Sequence, residues 1–82
     1  MNDLQARLSR CFSAVFPGLN AQQIAAASVQ TVEKWDSIAM VTLLSVIEEE
    51  FGVQFDPEDI ETLASFQKIF DYVGARRKVV ND

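Results

Sequence analysis

The chain has 82 residues with an apolar fraction of 49%, a formal net charge of -5, a single cysteine and no histidine. Without an imidazole there is no Ser-His-Asp or Cys-His catalytic apparatus and no His-ligated zinc site, and one cysteine forms no internal disulfide or thiolate cluster. The net acidity disfavours binding to nucleic acid or an anionic membrane and favours a basic protein partner.

Length predicts one domain over residues 1–82, with a core over about residues 3–75. Its expected stability is roughly 4–12 kcal/mol. The longest run without charge, between Asp36 and Glu48, holds eleven residues, too few to span a membrane. With one cysteine and no secretory signal, we expect a cytoplasmic protein, and we expect it to be a monomer.

An apolar stripe near the start predicts the first helix. Its members recur at three- or four-residue steps and flank one another on one face. They are Leu4, Leu8, Cys11, Phe12, Val15 and Phe16. We expect Asn2 or Asp3 to cap the start of this helix, Pro17-Gly18 to end it, and Cys11 to be a small core residue rather than a reactive thiol.

A long connection follows the first helix. Residues Asn20 to Lys34 are small and polar and have no sustained apolar period, so we interpret them as an ordered loop with a short helical turn over Ala21–Ala27. Ile24, Val29 and Val32 are expected to hold this loop against the core.

The segment after the loop predicts a central helix. Asp36 is a good N-cap, Ser37–Phe51 is the helix, and Gly52 supplies the left-handed residue that ends it. Apolar residues nearly encircle it, yet one face turns polar beyond its first residue. That face consists of Ile38, Thr42, Ser45 and Glu49. We therefore expect Ile38 to be exposed beside Ser37.

The rest of the chain predicts a loop and two further helices. Residues 53–55 alternate as a strand would, but no partner strand exists, so we expect an extended loop that inserts two apolar side chains. Asp56-Pro57 opens a short helix, from which Ile60 and Leu63 face inward. Ser65 is expected to cap the last helix. Its apolar face holds Phe66, Ile69, Phe70 and Val73, and Arg76-Arg77-Lys78 complements the dipole at its end.

Negative charge concentrates in the middle of the chain. From Glu33 to Asp71 there are ten acidic and two basic residues, a local net charge of -8. We interpret the Glu48-Glu49-Glu50 run as part of a partner-binding face, because the helix dipole disfavours acids at that end. The acidic stretch 56–61 lacks the ligand spacing and central glycine of a calcium loop, so we predict no metal site.

The residues Trp35-Asp36-Ser37-Ile38, followed by Val46 to Val53, resemble the acyl carrier proteins. These are small four-helix bundles that carry an acyl group on a phosphopantetheine arm attached to the serine of an Asp-Ser-Leu motif. The resemblance covers nearly the whole chain. It implies an all-α four-helix bundle with three main helices, a short third helix and a long loop between the first two.

The resemblance also implies roles for individual residues. Ser37 would carry a covalent 4′-phosphopantetheine, and Asp36 would cap the helix and contribute to transferase recognition. The partner-binding residues would be Ile38, Thr42, Ser45, Glu48 and Glu49. The acyl chain would fold into a core lined by Leu44, Ile47, Ile60, Phe66 and Ile69. The partners would be a phosphopantetheinyl transferase and acyl-loading and acyl-transferring enzymes with basic docking surfaces.

The sequence departs from the family pattern at informative positions. Its motif reads Asp-Ser-Ile, and Ala39 and Thr42 stand where fatty-acid carriers have acidic residues. Together with Trp35 before the motif, these departures favour a specialised pathway over general fatty-acid synthesis. The Gly-Gly-x-Ser pattern of peptidyl carriers is absent.

Two other functions are weighed against the carrier. The chain could be an unmodified acidic helical adaptor that only binds a protein partner, with Ser37 as an ordinary first-turn residue. A hydrolase using Ser37 is disfavoured because no base is available to activate its hydroxyl. We therefore expect no catalytic residues and no enzymatic activity.

Overall fold

The computed structural model describes residues 3–77, with the side chain of residue 77 left out of the description. This range holds four α-helices and one 3₁₀ helix. They are α1 (Asp3–Val15), α2 (Ala21–Ala25), α3 (Ser37–Phe51), the 3₁₀ helix Pro57–Thr62 and α4 (Phe66–Arg77). The described residues form no strand, only an isolated bridge between Ser28 and Ser65. Asn2 and Lys78, for which the sequence predicts a cap and a dipole complement, lie outside this range.

Helix α1 ends before Pro17-Gly18, as predicted, and buries the predicted face. Leu8, Cys11 and Phe12 are buried on it, while Leu4 and Val15 pack against the core with part of their surface exposed. The helix ends just before Phe16-Pro17, since a residue preceding proline disfavours helical backbone. α1 packs against each of the other three α-helices.

The long connection contains α2, which begins with a reciprocal cap. The Asn20 side chain accepts a hydrogen bond from the Gln23 N–H (2.8 Å), and the Gln23 side chain accepts one from the Asn20 N–H (2.9 Å). The predicted helical turn is therefore confirmed, over a shorter range. Ile24 and Val32 are buried as expected, but the placement of Val29 in the core is wrong, since its side chain is 38% exposed.

The backbone of Val29 explains this correction. Its N–H donates to the Ala64 carbonyl (2.9 Å), and the Phe66 N–H donates to the Ala27 carbonyl (2.9 Å). These two bonds tie the connection to the start of α4 through the main chain. Ala27 fills the core at this point, whereas the Val29 side chain is left at the surface.

Helix α3 also begins and ends where the sequence predicts. Asp36 caps it, and Gly52 ends it with φ 68° and ψ 28°, a left-handed conformation that costs a glycine little. Leu43, Leu44 and Ile47 are buried on its inner face.

The segment after α3 matches the sequence prediction in outline. Residues 53–56 form a loop in which Phe55 is buried and Val53 half-buried, and the short third helix is a 3₁₀ helix. Leu63 is buried and Ile60 half-buried. The Ser65 hydroxyl accepts from the Lys68 N–H (3.1 Å), which confirms the predicted cap of α4.

The core joins all these elements around a group of aromatic rings. Trp35 packs edge-to-face on Phe12, with ring centroids 5.4 Å apart, and Phe66 contacts Phe12 at 5.1 Å. Three long helices, a short 3₁₀ helix and a long first connection agree with the predicted helical class. None of the helices in the described range is long and apolar enough to cross a membrane.

Candidate functional site at the start of helix α3

Asp36 stands at the entrance to α3 and fixes the start of the helix. Its backbone is extended (φ -102°, ψ -170°), and its carboxylate accepts a hydrogen bond from the Ala39 N–H at 2.9 Å. The predicted capping role is confirmed. The carboxylate also lies where the positive end of the helix dipole favours negative charge.

Ser37 is the first residue of α3 and is exposed. No side-chain hydrogen bond is formed by its hydroxyl within residues 3–77, so the oxygen is open to an incoming molecule. An anion attached there would lie beside free backbone N–H groups and the positive dipole end. The chain has no histidine that could act as a general base for this hydroxyl.

An apolar surface continues from Ser37 along α3. Ile38 is 78% exposed, as the sequence predicts, and Val41 is 66% exposed. Thr42, Ser45 and Glu49 are exposed further along. The sequence interpretation did not single out Val41, although its position three residues after Ile38 places the two side by side on the helix.

A groove of about 510 Å³ opens beside Ser37. Val29, Trp35, Asp36, Ser37, Met40, Val41, Ile60, Glu61 and Ala64 line it. Of the five residues predicted to line an acyl core, Ile60 alone borders this groove. Leu44, Ile47, Phe66 and Ile69 are packed in the core, each at most 6% exposed.

Sequence reasoning missed most of the groove because its walls come from distant parts of the chain. Val29 and Ala64 meet there through the hydrogen bond between their main chains. Periodicity within one helix cannot indicate such a pairing. Trp35 was singled out in the sequence, but as a motif residue and not as part of a groove wall.

In the acidic run at the other end of α3, two of the three acids have partners within the fold. The Glu48 carboxylate accepts a hydrogen bond from the Phe55 N–H (3.0 Å). Glu50 pairs with Arg7 of α1 at 2.8 Å, and Arg7 also donates to the Glu50 carbonyl. The bond to Glu50 raises the pKa of Arg7 above its usual range. Glu49 alone of the three makes no ion pair or side-chain hydrogen bond within the described residues.

Two acids near the start of the 3₁₀ helix, Asp56 just before it and Asp59 within it, also have partners within the fold. The Tyr72 hydroxyl donates to the Asp59 carboxylate (3.2 Å) and accepts from the Asp56 N–H (3.1 Å). Arg76 lies over the Tyr72 ring at 3.9 Å and pairs with Asp56 at 3.4 Å. Several acids of the central segment therefore have partners within the fold.

Cys11 and the acidic residues offer no further chemical site. Cys11 is 4% exposed, and burial raises the pKa of its thiol, so the reactive thiolate is disfavoured. Within residues 3–77 no group of three or more Cys, Asp or Glu side chains is placed to hold a metal ion.

Comparisons with known proteins point to the same region. The family model described as "Phosphopantetheine attachment site" matches residues 35–73. The chain is also 30% identical over 78 residues to the acyl carrier protein of Buchnera aphidicola subsp. Schizaphis graminum (strain Sg), and the match covers 95% of this chain and 99% of that protein. The family match begins at Trp35 and includes every residue of the groove except Val29.

Proposed function

Because the chain belongs to the acyl carrier proteins, which are carriers and not enzymes, we propose that Ser37 bears its 4′-phosphopantetheine arm and that the arm's thiol holds a carboxylic intermediate as a thioester. The observation that carries this proposal is the exposure of Ser37 at the first turn of α3, directly after the capping Asp36. A phosphodiester on its oxygen gains about 0.3–1 kcal/mol from the dipole.

The attachment reaction needs an external catalyst. The Ser37 oxygen forms a bond to the phosphorus of the phosphopantetheine group of coenzyme A as the pyrophosphate P–O bond breaks. Adenosine 3′,5′-bisphosphate leaves, and the hydroxyl proton passes to a base. No base within the described residues contacts the hydroxyl, so the phosphopantetheinyl transferase must supply one. Asp36 lies beside the reacting oxygen and is exposed, so its charge is available to a basic transferase surface.

The test is intact mass after incubation with coenzyme A, magnesium and a broad-specificity phosphopantetheinyl transferase. We expect wild type to gain one phosphopantetheinyl group and Ser37→Ala to gain none. Ser13→Ala is the matched control, because Ser13 is an exposed helical serine outside the proposed partner-binding face. Loading of Ser37→Ala would move the site to another residue, and no loading of wild type would contradict the carrier function.

The partner-binding face is proposed to run from Ile38 through Thr42 and Ser45 to Glu49. A depression of about 610 Å³ borders the last three of these and continues to the loop after α3. Glu48, also proposed for this face, borders the depression as well, but its carboxylate is bonded to the Phe55 N–H. We therefore expect Glu49 to supply most of the charge that a basic partner reads.

A specialised pathway is the second part of the proposal. No charged residue lies between Asp36 and Glu48, so the first turns of α3 offer an enzyme apolar contacts through Ile38 and Val41 and no acidic group. Partners suited to this surface would differ from those that recognise an acidic helix. The mass of the group found on protein isolated from its native host would identify the pathway.

We further propose that the acyl chain enters beside Met40, Val41 and Ile60, which line the groove next to Ser37. The four buried residues predicted for the acyl core lie deeper, and a chain reaches them only if the packed side chains separate. The helices are proposed to form the family's four-helix bundle within a single domain. The unmodified adaptor is not favoured, because the family match is to an attachment site.

A further inference from the structure

Trp35 carries the one buried side-chain polar atom among residues 3–77 that lacks a hydrogen-bond partner. The residue is 4% exposed, and its indole Nε1 has no acceptor within reach. Buried donors in native proteins are nearly always bonded, and one that is not retains its desolvation penalty. The orphaned N–H therefore points to an acceptor that the folded chain does not supply.

The surroundings of Trp35 limit where that acceptor can come from. Phe12 packs edge-to-face on it, and Phe16 lies 5.8 Å away between ring centroids. Aromatic rings are weak acceptors at best. Trp35 also borders the groove beside Ser37, whose lining includes the apolar Met40 and Val41 and the acidic Asp36 and Glu61. Neither acid bonds the indole N–H. A molecule lying in the groove is thus the group that can bring an oxygen to the indole.

We propose that the Trp35 indole N–H donates a hydrogen bond to a carbonyl oxygen of the group carried on Ser37, and so docks that group in the groove. The inference rests on the proposed function of Ser37. Trp35 is a positioning residue in this arrangement, since the bond fixes where the carried group lies against the groove wall.

Proximity along the chain supports the assignment. Trp35 lies two residues before Ser37, and both line the groove, so any group attached to Ser37 passes close to the indole. The arm itself contains two amide carbonyls, and a carried acyl group adds its thioester carbonyl and any oxygen further along. Because Nε1 is buried, the groove walls must move apart slightly as the group enters, and a bond to the carbonyl offsets that cost.

The single tryptophan of the chain makes this testable without a mutation. The indole N–H gives one signal in a nitrogen–proton correlation spectrum of labelled protein. We would compare the unmodified protein, the arm-loaded protein, and the butyryl and 3-oxobutyryl thioesters, with loading verified by intact mass. We expect the indole proton signal to move downfield on loading, as hydrogen bonding deshields it.

The four samples distinguish the source of the oxygen. A shift already present with the arm alone assigns an arm amide, one that first appears with both acyl forms assigns the thioester, and one confined to 3-oxobutyryl assigns the additional cargo oxygen. A signal that stays at its unmodified position in every loaded form overturns the inference. An absent mass gain would instead contradict the proposed function.

Trp35→Phe provides a second readout, because phenylalanine keeps an aromatic ring and removes the donor. In the loaded form that moves the wild-type signal, we expect loading to raise the midpoint of thermal unfolding for wild type and to leave that of Trp35→Phe unchanged. Val15→Ala is the control: Val15 is a half-buried residue of α1 that does not line the groove, and the variant should keep the rise. An equal rise in Trp35→Phe overturns the hydrogen bond. If that variant does not fold, the wild-type spectra decide.

Discussion

The two ends of helix α3 use their side chains in opposite ways. At the first end, Ile38 and Val41 are 78% and 66% exposed, and the hydroxyl of Ser37 is open. At the last end, Glu48 and Glu50 are bonded to the following loop and to α1. The first end leaves apolar groups in water, and the last end directs charged groups into the fold.

This difference shows that composition alone misassigns the two surfaces. An acidic run suggests a recognition face, and apolar residues suggest a core. Here two of the three acids have partners within the fold, whereas two aliphatic residues are left exposed. Substituting the same residue type at both ends, or neighbouring acids at one end, tests this difference between the two ends of α3.

The largest effect is expected from a matched pair of isoleucines on α3. Ile47 is fully buried and Ile38 is 78% exposed. Ile47→Ala removes packed methyl and methylene groups and should lower the free energy of unfolding by roughly 2–5 kcal/mol. Ile38→Ala should change it by less than about 0.5 kcal/mol. Urea denaturation measures both.

The rate of loading by the transferase should rank the two variants in the reverse order. Ile38→Ala should slow loading by the transferase, because it removes an apolar contact beside Ser37, whereas Ile47→Ala should still be loaded under conditions where it remains folded. Wild-type loading rates for Ile38→Ala together with a large loss of stability would show that the first end of α3 is part of the core.

The second prediction concerns the hydrogen bond from the Phe55 N–H to Glu48, which joins the last turn of α3 to the following loop. Glu48→Ala leaves the Phe55 N–H without its acceptor and should cost about 1–3 kcal/mol of unfolding free energy. Glu48→Gln keeps an oxygen acceptor and removes a charge that the helix dipole disfavours, so it should be as stable as wild type or slightly more so. Chemical denaturation distinguishes them, and equal losses in both variants would mean that charge, not the hydrogen bond, is what Glu48 contributes.

Local sequence rules predicted the ends of the elements well. Asp36 and Ser65 cap their helices through side-chain hydrogen bonds three residues ahead, and Gly52 ends α3 through its left-handed backbone. The periodicity of α1 likewise identified its buried face. Such features depend on residues within one turn of each other, so the sequence contains the information directly.

The groove and the internal acids could not be predicted in this way. The groove combines Val29, Trp35 and Ala64, and a main-chain hydrogen bond joins Val29 to Ala64 across 35 positions of sequence. Glu50 finds Arg7 across 43 positions of sequence. Periodicity identifies the apolar face of a helix but not what packs on it. The core role expected for Val29 was wrong because its main chain, and not its side chain, joins the loop to Ala64.

The smallest effect is expected at the neighbouring acids Glu49 and Glu50, which differ only in their partners. Each substitution to glutamine removes one negative charge from the last turn of α3, where the dipole disfavours it. Glu50→Gln also removes the ion pair with Arg7, whereas Glu49 has no such partner in the described chain. Glu50→Gln should therefore have a lower melting temperature than Glu49→Gln at low salt, and this difference should narrow in 1 M salt as screening weakens the ion pair.

Loading by a basic transferase should respond in the opposite sense, slowing for Glu49→Gln and not for Glu50→Gln. Equal melting temperatures and equal loading rates at low salt would mean that the two acids share one role. The last turn of α3 would then not be divided between an acid bonded to the fold and an acid available to a partner.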